Sequence, residues 1–326
     1  MQFDMHYYGT CAMARAAGLN VETAKTIATA AQFVDDNTAR EAITFRDGSR
    51  IDVEATAHHP LHLSNLNEEN QRKVWVPFHF LPGNMGDTYT ERLKCRKDSE
   101  IVQEMRDHHL SLADRKFAVE LIGIAAHVYA DTFSHYGFSG VSSRGNKVDN
   151  GSFLFHEDVK DLEDTIKDLA PELRAYITKK KDDFFKKNGP HGGLLSNIVG
   201  SISEEISGAL GHGSVATYPD RPYLVWSFDY EREDTIVGKC STRNNPITFL
   251  AGCRALHGMF QRFMNLRNDL SSKDGRSFDD IAQTVLGILT VQGSKEIRID
   301  AWQDAAAKGT IFGEADNEIP EYKGQS

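Results

Sequence analysis

The chain has 326 residues, with 37 lysines and arginines against 47 aspartates and glutamates, for a formal net charge of −10 at pH 7. That length and a 40% hydrophobic content supply a large core and exclude a small disulfide scaffold, and the acidic balance argues against a protein that coats a polyanion. Thirteen histidines stand beside only four cysteines, so any metal would be held by nitrogen and oxygen.

The stretch 3–17 is rich in helix formers and stops at Gly18, and Val21, Ala24, Ile27, Ala28, Ala31 and Val34 recur at helical spacing. Two antiparallel helices are expected to open the fold. Alternation on both sides of Asp47-Gly48 predicts a β-hairpin at about 43–53, the only clear β element. The chain from 57 to about 90 reads as loop, broken by prolines and Gly-Asn turns. A central helix is predicted over 111–135, packed through Leu112, Phe117, Leu121, Ile124 and Val128, and followed by a Gly/Ser/Asn-rich segment at 137–152. Further helices are predicted at 157–187, bent near Pro171, and at 194–209, 246–266, 277–290 and 296–307. The expected architecture is all-α: a multi-helix bundle around a buried central helix with one small hairpin, in a single domain spanning 1–326.

No stretch approaches the ~20 apolar residues of a membrane span, since the most apolar window, 117–130, contains Glu120 and His127. The residues from Met1 to His6 lack the basic and apolar regions of a signal peptide, so residence in the cytoplasm is the default expectation.

The most informative string is His127-Val-Tyr-Ala-Asp131-Thr-Phe-Ser-His135. On a helix its three polar side chains lie at about 0°, 40° and 80°, one turn apart, on a single stripe. Two imidazoles and a carboxylate buried together need compensation from a metal, a hydrogen-bond network or water. A carboxylate midway between two histidines can bridge two cations. His6, beside Asp4, together with Asp35 and Asp36 at the end of the second helix, His79, His156 and His212 are further candidates from distant segments. No histidine has a glutamate three residues before it, which removes the di-iron carboxylate bundle, and no H-E-x-x-H, His-Asp dipeptide, Walker loop or G-x-S-x-G is present.

The order of these residues resembles the superfamily of zinc-dependent phospholipases C and single-strand-specific nucleases: an early histidine, an aspartate closing the next helix, His79-Phe80, then His127-x-x-x-Asp131 and His135. The chain is also similar to a bacterial family of unknown function with an Asp4-x-His6-Tyr7-Tyr8 start, an Ala-His-x-x-x-Asp-x-x-x-His-x-Gly-Phe-Ser-Gly segment and a Gly-His-Gly…Pro-Asp segment. The first resemblance implies an all-α enzyme with two or three zinc ions. Asp35, His79, His127 and Asp131 would surround one ion; His135 and a late histidine, His212 ahead of His156, would hold another; His6 and Asp131 would hold a third. Asp4 would take the place of the family's N-terminal tryptophan backbone. Asp220, in a tight Tyr-Pro-Asp turn, is the first acid after His212.

The expected function is hydrolysis of a phosphoester on a zinc cluster, of phospholipase C type, with Asp35 or Asp36 as general base or water-orienting group. Lys179-Lys180-Lys181 and Lys186-Lys187, flanking Phe184-Phe185, would supply a peripheral contact with an anionic membrane. Two alternatives stand beside it: a nuclease-type phosphodiesterase on the same cluster, less favoured by the net charge, and a non-enzymatic helical metal-binding or toxin-system interaction protein.

Overall fold

The computed structural model describes residues 1–39, 42–57, 69, 71–149, 152–155, 215, 217–272, 275–313 and 318–324. The helices predicted at 157–187 and 194–209, with their lysine and phenylalanine cluster, lie outside these residues, as do His156 and His212.

A π-helical turn, Asp4–Gly9, runs directly into α1 (Thr10–Ala16), which Gly18 ends at φ +100°. Asn20 then caps α2 (Val21–Asp36), its side chain accepting from Thr23 N at 2.9 Å. The predicted apolar stripe of α2 is its buried face. The hairpin is present as β1 (Ile43–Thr44) and β2 (Arg50–Ile51), antiparallel, with Asp47 Oδ1 accepting from Ser49 N across the turn.

The central helix is shorter and differently phased than expected. A helix unmarked in the sequence reading, α3 (Glu100–Leu110), ends in turns at 111–117, and α4 starts only at Ala118 and runs to Ser134. Phe117 is consequently 55% exposed, and Ile122, Ala125, Ala126, Tyr129 and Phe133 are buried in its stead. The polar run Asp107-His108-His109 obscures α3, whose inward face is only Val102 and Leu110. Three helices follow near their predicted limits: α5 (Asn245–Leu266), α6 (Phe278–Leu289) and α7 (Lys295–Ala307). Among the described residues, no helix is long and apolar enough to cross a membrane.

The all-α expectation needs one correction. Besides the hairpin there is a three-stranded antiparallel sheet of β3 (Leu154–Phe155), β4 (Val225–Asp234) and β5 (Gly238–Asn244), in the order β3-β4-β5. Its signal was the period-2 spacing of Trp226, Phe228 and Tyr230, all fully buried in a second aromatic core with Phe80 and Phe138. The main core is formed by α1, α2, α4, α5, α6 and α7.

Close packing of α2 on α4 depends on Gly123. A Cβ there would lie 2.4 Å from the Ile27 carbonyl oxygen and 2.6 Å from Ala30 Cβ, so only a residue without a side chain permits this helix spacing. Gly123→Ala is expected to force the helices apart at a cost of about 1–3 kcal/mol, read as a lowered midpoint in chemical denaturation.

Candidate functional site

Four separated segments converge beside α4. Its stripe presents His127, Asp131 and His135; α2 brings Asp35 at its last turn; the chain after the helical turn at Val76–Phe78 brings His79; the π-helical turn brings His6; and the turn Tyr218–Asp220 brings Asp220. Buried ionisable groups on this scale are rare unless they are paired or hold a metal. His6, His127 and Asp131 are at most 1% exposed, whereas the Asp35 side chain is 34% exposed and marks the open edge.

Asp131 divides its two oxygens. Oδ1 lies 3.2 Å from His6 Nε2 and 2.5 Å from the Met1 amino nitrogen; Oδ2 lies 3.3 Å from His127 Nε2, 3.4 Å from His79 Nδ1 and 3.5 Å from His135 Nδ1. Asp35 Oδ1 faces the same point, 3.8 Å from His79 Nδ1 and 3.9 Å from His127 Nε2. Two sets of ligand-type atoms, His6 with His127 and Asp131, and Asp35 with His79 and His127, each lie within 4.8 Å of one another.

Backbone carbonyls orient three of the imidazoles. His127 Nδ1 donates to Ala31 O at 2.8 Å, His79 Nε2 to Thr56 O at 2.9 Å and His135 Nδ1 to His79 O at 2.7 Å. Each bond places one ring N–H outward on a carbonyl and turns the other nitrogen inward, the arrangement that outer hydrogen-bond acceptors impose on metal-ligating histidines. The inward nitrogens of His127 and His135 turn to separate sides, the latter 2.9 Å from Asp220 Oδ1, where a proton or a shared cation must lie between them. His127 Nε2 and His79 Nδ1 stand 3.2 Å apart. Two lone pairs at that distance repel unless a proton or a cation lies between them.

The charges agree with this geometry. Burial opposes a charge on His79, but its hydrogen bond to Asp131 and the field of Asp35 raise its pKa above the usual imidazole range. Burial pushes His6 down to about 4, assisted by His127 and the Met1 ammonium. His6 is therefore a neutral imidazole at pH 7, and neither of its buried ring nitrogens makes a hydrogen bond. Asp131 is held well below the usual carboxylate range against the effect of burial, by His135, the Met1 ammonium and His127. The Met1 amine is raised to about 11, Asp131, Asp220 and Asp35 outweighing the burial that opposes its charge. Three carboxylates and four imidazoles, the His6 ring without a hydrogen bond, make a donor set that fits a divalent cation such as zinc.

Not every expected residue joins the cluster. Asp4 does not: Arg298 holds both of its oxygens, Nε at 2.8 Å and Nη2 at 3.2 Å, and this pair anchors the π-helical turn to α7. Asp36 does not either. It follows Asp35 by one helical step, about 100° around the axis, and accepts from Gln32 Nε2 at 3.0 Å and from the Tyr322 hydroxyl. Asp220, read from sequence only as an acid downstream of His212, faces His135 itself. The Met1 nitrogen and the three carbonyl acceptors carried no side-chain signal to find them by.

The chain belongs to a family of unknown function, DUF6765, whose model matches residues 1–326. No curated protein and no solved structure matches it.

Because a proton on His79 competes with zinc for its inward nitrogen, the apparent affinity for zinc is expected to weaken by about tenfold per unit as the pH falls below the raised His79 pKa. Calorimetric titrations at pH 5.5 and 6.5, each in two buffers of different ionisation enthalpy, check both the trend and the released proton.

Proposed function

We propose that this DUF6765 member is a zinc-dependent phosphoester hydrolase, similar in ligand order to the phospholipase C and single-strand nuclease superfamily, with two or three ions on the cluster around Asp131. The observation that carries this reading is the carbonyl-fixed orientation of His79 and His127, whose second ring nitrogens meet beside Asp131, while His135, fixed in the same way, turns its own toward Asp220. His6, Asp35 and Asp220 complete the donor set on its three sides.

Zinc bound there would supply Lewis acidity, lowering the pKa of water toward neutrality and polarising a phosphoryl oxygen. Every other task falls to the chain. His6, a neutral ring at pH 7, and His127 and His135, fixed by their carbonyl bonds, hold their nitrogens in place, and Asp131 balances positive charge from two sides. Asp35, at the exposed edge, orients the attacking water and accepts its proton. That exposure favours a catalytic site over a structural one, because structural zinc is closed by four protein ligands. Asp36, tied to Gln32 and Tyr322, holds the end of α2 and so positions Asp35. A phospholipid headgroup is the preferred substrate over long nucleic acid, given the net charge of −10.

Metal analysis of the purified protein is expected to find at least two equivalents of zinc, and fewer than one equivalent sinks the proposal. Asp131→Asn is expected to lower hydrolysis of a chromogenic phosphocholine ester by at least about a hundredfold. Cleavage of single-stranded DNA with no activity on phosphocholine esters would transfer the reading to a nuclease.

A further inference from the structure

On the far side of α4 from the cluster lies a groove of about 530 Å³ between α3, α4, α5 and α6, within the size range of small-molecule sites. Tyr129 and Phe133, about 200° and 240° around the helix from His127, form its floor with Leu250 and Met259, all at most 8% exposed. Its charged lining is three arginines, Arg106, Arg254 and Arg262, against one aspartate, Asp98, whose Oδ1 accepts from the Tyr129 hydroxyl at 2.6 Å.

Two features of this groove have no explanation in the packing. Gly258 sits inside the 22-residue helix α5, where glycine is unfavourable relative to alanine, yet a Cβ there would meet nothing within 4 Å. No neighbour requires a glycine; what its absence of side chain preserves is the open volume of the groove. The guanidiniums are also weakly committed. Arg106 and Arg262 share the single carboxylate of Asp107, and Arg254 meets Asp279 through one nitrogen at an exposed position where ion pairs contribute little.

We infer that this groove binds a single-chain fatty carboxylate, its alkyl chain on the Tyr129–Phe133–Leu250–Met259 floor and its head on the arginine rim. A guanidinium engages a carboxylate through two parallel N–H donors, and each of these arginines has donors beyond those in its ion pair. The inference is independent of the metal cluster, which occupies the other face of α4.

The test is calorimetric titration with dodecanoate, dodecyl phosphate and dodecyltrimethylammonium, each below its micelle concentration. Dodecanoate is expected to bind one to one and at least tenfold more tightly than the trimethylammonium compound. Gly258→Phe, which fills the groove, is expected to weaken it at least tenfold, while Gly258→Ala leaves it within threefold. Arg254→Gln with Arg262→Gln, at half-exposed positions, is expected to cost the same tenfold and decides the matter if the phenylalanine variant does not fold. No binding by dodecanoate, equal or tighter binding of either other head group, or undiminished binding in the double arginine variant overturns the proposal.

Discussion

A carboxylate almost without solvent, Asp131 in the last turn of α4, is the group that the surrounding structure has to satisfy. An ion removed from water costs several kcal/mol unless partners repay it. Here the partners are distributed by helical geometry: His127 one turn before, His135 one turn after, His6 and the Met1 amine on one side and His79 on the other. Two of these are in turn held by contacts one step further out. His127 reaches Ala31 O only because Gly123, one turn earlier, lets α2 lie close, and His6 is held through the Asp4–Arg298 pair.

The sheet has a related task at the end of the same helix. Arg243 of β5 is fully buried, with its guanidinium 3.9 Å from the Tyr136 ring centroid and its nitrogens donating to Ser134 O, at 3.0 Å, and to Tyr136 O. These carbonyls bracket His135, and a cation at the C-terminus of a helix opposes its dipole. The rings of Trp226 and Phe228 in the ladder, with Phe138, give the guanidinium a flat surface to lie against, and Lys94 lies over Tyr230. Asp234 at the far end of β4 accepts from Lys94 and Arg96, both buried, tying the sheet to the segment before α3. The sheet thus seats the helix end from which His135 projects.

How much of this was legible follows the period of each signal. The stripe of α2, the Asp47-Gly48 hairpin and the limits of α5, α6 and α7 were written in side-chain pattern and turn chemistry, and the structure reproduces them. His127, Asp131 and His135 were legible for the same reason, being related by one helical turn. The phase of α4 was not, because Leu112 and Phe117 continue its apolar run into turns that leave Phe117 exposed. The β4 ladder was legible at period 2 but passed over between helical stretches. Asp4 and Asp36 show the opposite limit: residue type and order placed them with the ligands, but the direction of a side chain depends on partners such as Arg298 and Tyr322 nearly 300 residues away.

The separation of the contributing residues along the chain bears on how the protein comes into being. Met1 meets Asp131 across 130 residues, His127 meets Ala31 across 96, and His135 meets Asp220 across 85. A chain emerging from the ribosome therefore has only scattered members of this centre until His135 has been made, and lacks Asp220 for 85 residues more, because closing such loops must precede the contacts that reward it. Until then the acidic and imidazole groups remain dispersed and hydrated. Any ion that selects the assembled arrangement acts on a finished fold, and shifts its stability by mass action without guiding its formation.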